Sequence, residues 1–137
     1  MKIAQSVFRI LRVLWAGSLW AMIWVAALMF HFERDKHVAG LIAASLFSVE
    51  TYLGLALGVL ALLLPGRGRF RLGYFAIALL LFNEWVLKAV MEAARVHGSA
   101  MGLGFGPWHG ISALLYLLAC LLVAVMIYQD EDSHAQA

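Results

Sequence analysis

Charge is what this sequence has least of: Asp, Glu, Lys and Arg make up 13% of its 137 residues, against about 25% in an ordinary soluble domain. Hydrophobic residues make up 64% and the mean hydropathy is +0.89, which excludes a water-soluble core protein. The basic residues behind a net charge of +2 are scattered near the ends of apolar runs rather than gathered in a patch, so nucleic acid is excluded as a partner. The single cysteine, Cys120, allows no intramolecular disulfide and leaves the redox compartment unread; inside an apolar run it reads as a small buried hydrophobe. No serine sits in a G-x-S-x-G turn and the cysteine has no histidine near it, so nucleophilic catalysis is not indicated. The alternating Gly102, Gly104 and Gly106 neither follow a strand nor open a Rossmann helix, which excludes a dinucleotide site there.

What is present is apolar length. The hydrocarbon core of a bilayer takes about 20 helical residues to cross, and four stretches meet that need: about 11–32, 38–64, 72–96 and 107–128. This predicts an all-α, four-transmembrane-helix bundle as one domain over 1–129, with an acidic, disordered tail over 130–137. The first run follows Lys2, Arg9 and Arg12, but it is too long for a signal-peptide core and lacks a small-x-small cleavage site, so it reads as a retained span. Glu33 to His37 closes the first span, Pro65-Gly66 stops the second, and Pro107 suits the first turn of the fourth. Lys2, Arg9 and Arg12 at the amino end, and Arg67, Arg69 and Arg71 in the second connector, place both termini in the cytoplasm by the positive-inside rule, in a bacterial inner membrane. Gly54 with Gly58, and Gly17 with Ala21, have the spacing that lets membrane helices approach closely. Trp15, Trp24, Trp85 and Trp108 are belt or bundle tryptophans, Trp108 fitting the belt best.

The ionisable groups inside the spans are the chemical clues. Glu50 and Glu84 each fall about twelve residues into their spans, which puts both roughly 18 Å from a helix end and at similar depth. A carboxylate near the bilayer centre costs at least about 2.5 kcal/mol, so each is expected to face the bundle or a wet cavity. Lys88 is one turn beyond Glu84 and Glu92 one turn further, giving a polar stripe with Asn83 beside it; either interhelical glue or a proton or ion relay fits. On the fourth span His109, Ser112, Tyr116 and Cys120 follow at steps of three, four and four, so that face is expected to turn inward.

With that topology His31, His37, His97 and His109 fall at the extracytoplasmic helix ends, with Met29, Met91 and Met101 on the same side. Imidazole and thioether suit copper, so His109, His31, His37, His97, Met29 and Met101 are the candidate metal ligands, though no pair has a diagnostic spacing. Haem is the weaker cofactor reading, because no histidine lies mid-membrane; it would rest on His109 with His31 or His37.

Three segments resemble a known family. They are Leu14-Trp15-Ala16-Gly17-Ser18-Leu19-Trp20 in the first span, Ala39-Gly40 with Leu46-Phe47-Ser48-Val49-Glu50 and Leu53-Gly54-Leu55 in the second, and Phe105-Gly106-Pro107-Trp108-His109-Gly110-Ile111-Ser112 opening the fourth. Together they are similar to the transmembrane-protein-205-like family of small membrane proteins. Its most specific element, aromatic-x-x-x-His-Gly-x-Ser, carries over onto Phe105, His109, Gly110 and Ser112. That family's first span often ends in a proline before a Leu-Phe pair, which Ala26-Ala27-Leu28-Met29-Phe30 lacks, so its kink is not expected here. The Trp-x-Gly opening is also similar to the membrane domain of bacterial copper-resistance proteins. The resemblance implies a four-helix integral membrane protein without an established activity, linked in eukaryotes with tolerance of platinum drugs, and it favours soft-metal handling.

The sequence therefore predicts an inner-membrane bundle that binds or transports a soft metal ion such as copper, with Glu50, Asn83, Glu84, Lys88, Ser112 and Tyr116 as its buried polar set. Two other readings stand beside it: an assembly subunit of a larger membrane complex or homo-oligomer, and a membrane enzyme acting on a lipid or porphyrin with His109 as acid or base.

Overall fold

The computed structural model describes residues 2–63 and 70–135, and the side chains of these except residues 2, 36, 37 and 130–135. The helix stop at Pro65-Gly66, the basic residues Arg67 and Arg69, and the side chains of His37 and the acidic tail thus lie outside the described residues. The chain is helical almost throughout: α1 (Lys2–Phe32), α2 (Lys36–Leu63), α3 (Arg71–Phe82), a π-helical turn (Asn83–Leu87), α4 (Lys88–His97) and α5 (Phe105–Ala135). Among the described residues there is no strand, only an isolated bridge between Ala100 and Leu103. Four segments are long and apolar enough to cross a membrane, Ile3–Phe32, Val38–Leu63, Arg71–His97 and Phe105–Gln129, as their sequences predict. Two boundaries differ from expectation. Helix α1 starts at Lys2 and runs unbroken, and α5 continues past Tyr128 to Ala135, so the expected disordered tail is helical up to that residue.

Helix α1 packs on α2 and α5, and α3 packs on α2 and α5, so consecutive spans are neighbours around a square. Short connectors make them antiparallel. The connector before α5 is built by its glycines. Gly98 ends α4 in the left-handed region at φ 82°, and Met101 (φ 53°) and Gly102 (φ 81°) form a tight turn closed by paired hydrogen bonds between Ala100 and Leu103. The indole of Trp108 donates to the Ala100 carbonyl at 2.9 Å, so this tryptophan holds the connector onto the first turn of α5.

Small residues set how closely the helices approach. A Cβ on Gly54 would stand 2.6 Å from Cζ2 of Trp15 on α1, and one on Gly58 would stand 2.7 Å from Cδ1 of Ile77 on α3. One glycine pair on α2 thus serves two different seams. Gly17 does not take part: it is exposed and a Cβ there would meet nothing within 4 Å, so the close approach expected at Gly17 and Ala21 is absent.

The apolar core occupies one end of the bundle. Trp15, Leu19, Ala61, Phe70, Ala76, Ile77, Leu80, Ala119, Cys120, Val123 and Met126 form a single buried cluster. Phe70 is its cap, with ring centroids 5.6 Å from Phe8, 6.3 Å from Trp15 and 5.0 Å from Tyr74. Arg12 is buried beside it, with its guanidinium 5.0 Å above the Phe8 ring. Toward the opposite end, where His31 lies, burial is confined to Ala39, Ala43, Leu87 and Ala94 among the described hydrophobic side chains. There α4 touches α5 but no Cα of α2 comes within 8 Å of it among the described residues.

Candidate functional site: a polar layer across the bundle

Between the two ends, each helix contributes one polar contact to each of its neighbours. Between α1 and α2, Ser18 Oγ lies 2.9 Å from Oε2 of Glu50. Between α2 and the π turn, Ser48 Oγ lies 2.8 Å from Oε1 of Glu84. Between the π turn and α5, Ser112 donates to Oδ1 of Asn83 at 2.6 Å, and the Asn83 amide donates back to the Ser112 carbonyl at 3.2 Å. Between α5 and α1, the Tyr116 hydroxyl donates to the Leu19 carbonyl at 3.0 Å, and its ring meets Phe47 edge-on at 4.7 Å across the bundle. All four seams are closed at nearly one level. Ser18 and Leu19 are adjacent on α1, Asn83 and Glu84 adjacent on the third span, and Ser48 precedes Glu50 by about 3 Å of helical rise.

The π turn explains how two neighbouring residues serve different partners. A wider turn carries an extra residue, and here Asn83 reaches α5 while Glu84 reaches α2 and Leu87 is buried. The side chain of Glu84 is 13% exposed, and Lys88 Nζ returns to it at 2.7 Å while also donating to Ser48 Oγ at 3.0 Å. Lysines near membrane helix ends extend toward the headgroups; this one bends back toward the middle of the span because a carboxylate holds it.

Glu50 differs from Glu84 although the two share a depth. It is 4% exposed, its one hydrogen-bond partner is Ser18, and among the described residues no Lys, Arg or His is paired with it. Tyr116 and Cys120 on α5 lie within electrostatic reach of it. Ser18 Oγ is also 2.9 Å from the Trp15 carbonyl, so one hydroxyl hydrogen faces two acceptors. The two carboxylates do not bond each other: Ser48 and Glu50 lie about 200° apart around α2, so the acids stand on opposite sides of that helix.

The structure brings Glu50, Asn83, Glu84, Ser112 and Tyr116 to nearly one level, and Lys88 reaches back to it from one turn away; Lys88 departs from the expected buried set, because its side chain is 47% exposed. It adds Ser18, Ser48 and the Leu19 carbonyl. Serines on membrane helices usually return their hydroxyl to the backbone, as Ser45 does to Leu41 and Ser48 also does to Ala44 at 3.0 Å, so residue type alone does not mark the two that bridge helices. The depth match with Glu50 and Glu84 was the available signal.

The candidate metal ligands are arranged differently. His109 is exposed and stacks on Phe105 with centroids 5.8 Å apart, so it does not turn inward with Ser112 and Tyr116. It lies in the first turn of α5, and its ring packs on its own helix one turn back. His31 is exposed against Phe32 at 4.9 Å, His97 is exposed at the end of α4, and Met101 is 83% exposed at the connector tip. Met29 is half-buried on α1, and the side chain of His37 is outside the described residues. Among the described residues no three His, Cys, Asp or Glu lie close enough together to hold an ion. Cys120 is buried, as expected of a small hydrophobe. Comparison with protein-family models, with curated proteins and with solved structures finds no match.

Proposed function

We propose that this chain is an integral protein of the bacterial inner membrane, with both termini cytoplasmic, that binds and exchanges a small cation at its mid-membrane carboxylate layer. The observation that carries the reading is the inequality of the two acids. Glu84 has a fixed cation in Lys88 at 2.7 Å, whereas Glu50 is buried at the same level without one among the described residues. An ionised Glu50 would lack a counter-ion at a depth where that costs at least about 2.5 kcal/mol. The position calls for a bound cation, and a proton is the one that fits a site already filled by Ser18. Similarity to the transmembrane-protein-205-like family agrees with a small four-span protein and supplies no mechanism. Soft-metal transport, the other cation reading, needs His and Met ligands brought together, and among the described residues His31, His97, His109 and Met101 are exposed, so the carboxylates carry the proposal.

The test is proton flux into liposomes that hold the purified protein and an internal pH dye, driven by an imposed membrane potential. Wild type is expected to acidify the lumen faster than protein-free liposomes, and Glu50→Gln to match the protein-free rate while keeping its helicity. Flux equal to that of protein-free liposomes in the wild type overturns the reading. Copper loading followed by metal analysis separates the rival: stoichiometric copper lost in a His109→Ala, Met101→Ala double variant would favour the soft-metal reading.

A further inference from the structure

Two buried polar atoms at the packed end of the bundle make no hydrogen bond among the described residues: the indole Nε1 of Trp15, a residue 3% exposed, and the hydroxyl of Tyr74 on α3. Both rings lie against glycines of α2. Nε1 of Trp15 is 3.3 Å from where a Cβ on Gly54 would stand, and the Tyr74 ring is 3.8 Å from where one on Gly58 would stand. Glu50, Gly54 and Gly58 follow at steps of four along one side of α2, so the two donors stand beside positions about 6 and 12 Å from the acid by helical rise, toward the Phe70 end. That spacing covers most of the roughly 15 Å between the bilayer centre and the headgroups. In the other direction the side of α2 that holds Glu50 carries Leu46, Phe47, Ala43 and Ala39, all apolar. Phe47 closes on the Tyr116 ring, and both alanines are buried.

Buried polar atoms pair with protein or with ordered water in nearly every case, because an unmade bond leaves the full loss of hydration uncompensated. Internal water collects where polar groups line the space and avoids apolar walls. We propose that Glu50 exchanges its proton rapidly with the Phe70 end, through internal water hydrogen-bonded to Trp15 Nε1 and Tyr74 Oη, and slowly with the His31 end. The proposal rests on the proton-exchange reading and adds a side to it. Each transfer breaks one O–H bond and forms another: a hydronium ion gives a proton to the Glu50 carboxylate and becomes water, and release reverses the step. Passage through the apolar half then limits net flux. The other titratable and charged groups around Glu50 are Tyr116 and Cys120 on α5, within electrostatic reach, Glu84 across α2, and Arg12 on α1, about 9 Å from Ser18 by helical rise. Arg12 is buried over Phe8. Its fixed charge repels an excess proton, which puts the route on the α3 side, where Tyr74 stands.

Sided pH jumps on the full chain in liposomes test this. Two preparations, sorted for opposite orientation by a carboxyl-terminal tag, receive the same external acid jump, and time-resolved infrared spectroscopy follows the protonated-carboxyl band that Glu50→Gln removes. The band is expected to rise at least tenfold faster when acid meets the Phe70 end. Tyr74→Phe and Trp15→Phe, which keep an aromatic ring and remove one O–H or N–H, are each expected to slow that rise at least threefold without changing its final height. Tyr74→Phe removes a single oxygen, so it carries the test if Trp15→Phe loosens the bundle. Equal rates from the two ends, a faster rise from the His31 end, or a Tyr74→Phe rise as fast as wild type would overturn the proposal while leaving proton exchange at Glu50 standing. A band that answers acid from neither end would overturn both.

Discussion

The Phe70 end and the His31 end of this bundle are made of the same four membrane-length segments, yet one is sealed and the other open. At the Phe70 end the residues at the seams are small: Gly54, Gly58, Ala61, Ala76 and Ala119 let backbones approach, and Trp15, Phe70 and Leu80 fill what remains. At the His31 end Ala39 and Ala43 of α2 are buried, but among the described residues α4, whose Lys88, Glu92 and Arg95 side chains are about half exposed, makes no close backbone approach to α2. Lipid tails are as apolar as leucine, so hydrophobicity alone draws no two helices together. Side-chain size and charge decide where a membrane bundle closes, and the polar layer marks the boundary.

Removing packing from the sealed end has the largest expected effect. Leu80→Ala, at a position 1% exposed, should cost about 2–5 kcal/mol of bundle stability, measured by reversible unfolding in bicelles. Leu114→Ala on the lipid-facing surface should change it by less than about 0.5 kcal/mol; equal losses at the two positions would abolish the contrast between core and surface. Adding bulk comes next. Gly54→Ala should cost about 1–3 kcal/mol, since its methyl meets the buried Trp15 ring, whereas Gly17→Ala should be neutral or slightly stabilising. The smallest effect belongs to the boundary itself: Tyr116→Phe removes one hydrogen bond to Leu19 and should cost about 0.6 kcal/mol. A loss several times larger would mean that the layer acts as one cooperative network.

Much of this arrangement is legible in the sequence, because depth along a helix can be counted. Twelve-odd residues from each end of a span lead to Glu50 and Glu84, and their hydrogen bonds do lie at one level. The inward face of the last span is legible from Ser112, Tyr116 and Cys120 for the same reason. What counting misses is direction. His109 continues that stripe on paper, but at the start of α5 it stacks on Phe105 instead of entering the bundle. Gly17 has the spacing of a contact residue and faces outward, because helical period fixes which residues share a face and not what that face meets. The π turn is the third gap: it inserts a residue without a proline or glycine to announce it, and it lets Asn83 and Glu84 serve two helices at once.

The seam contacts also fall in an order that suits a chain made from its amino end. Ser18 lies on the span synthesised first and covers Glu50 as soon as the second arrives. Glu84 finds Ser48 already in place and brings Lys88 with it on the next turn. Asn83 alone must wait for Ser112 on the last span, and it is the uncharged member of the set. During biogenesis, then, each acid enters the bilayer with its companion already present or immediately behind it, and the delay falls on the group whose temporary exposure to lipid costs least.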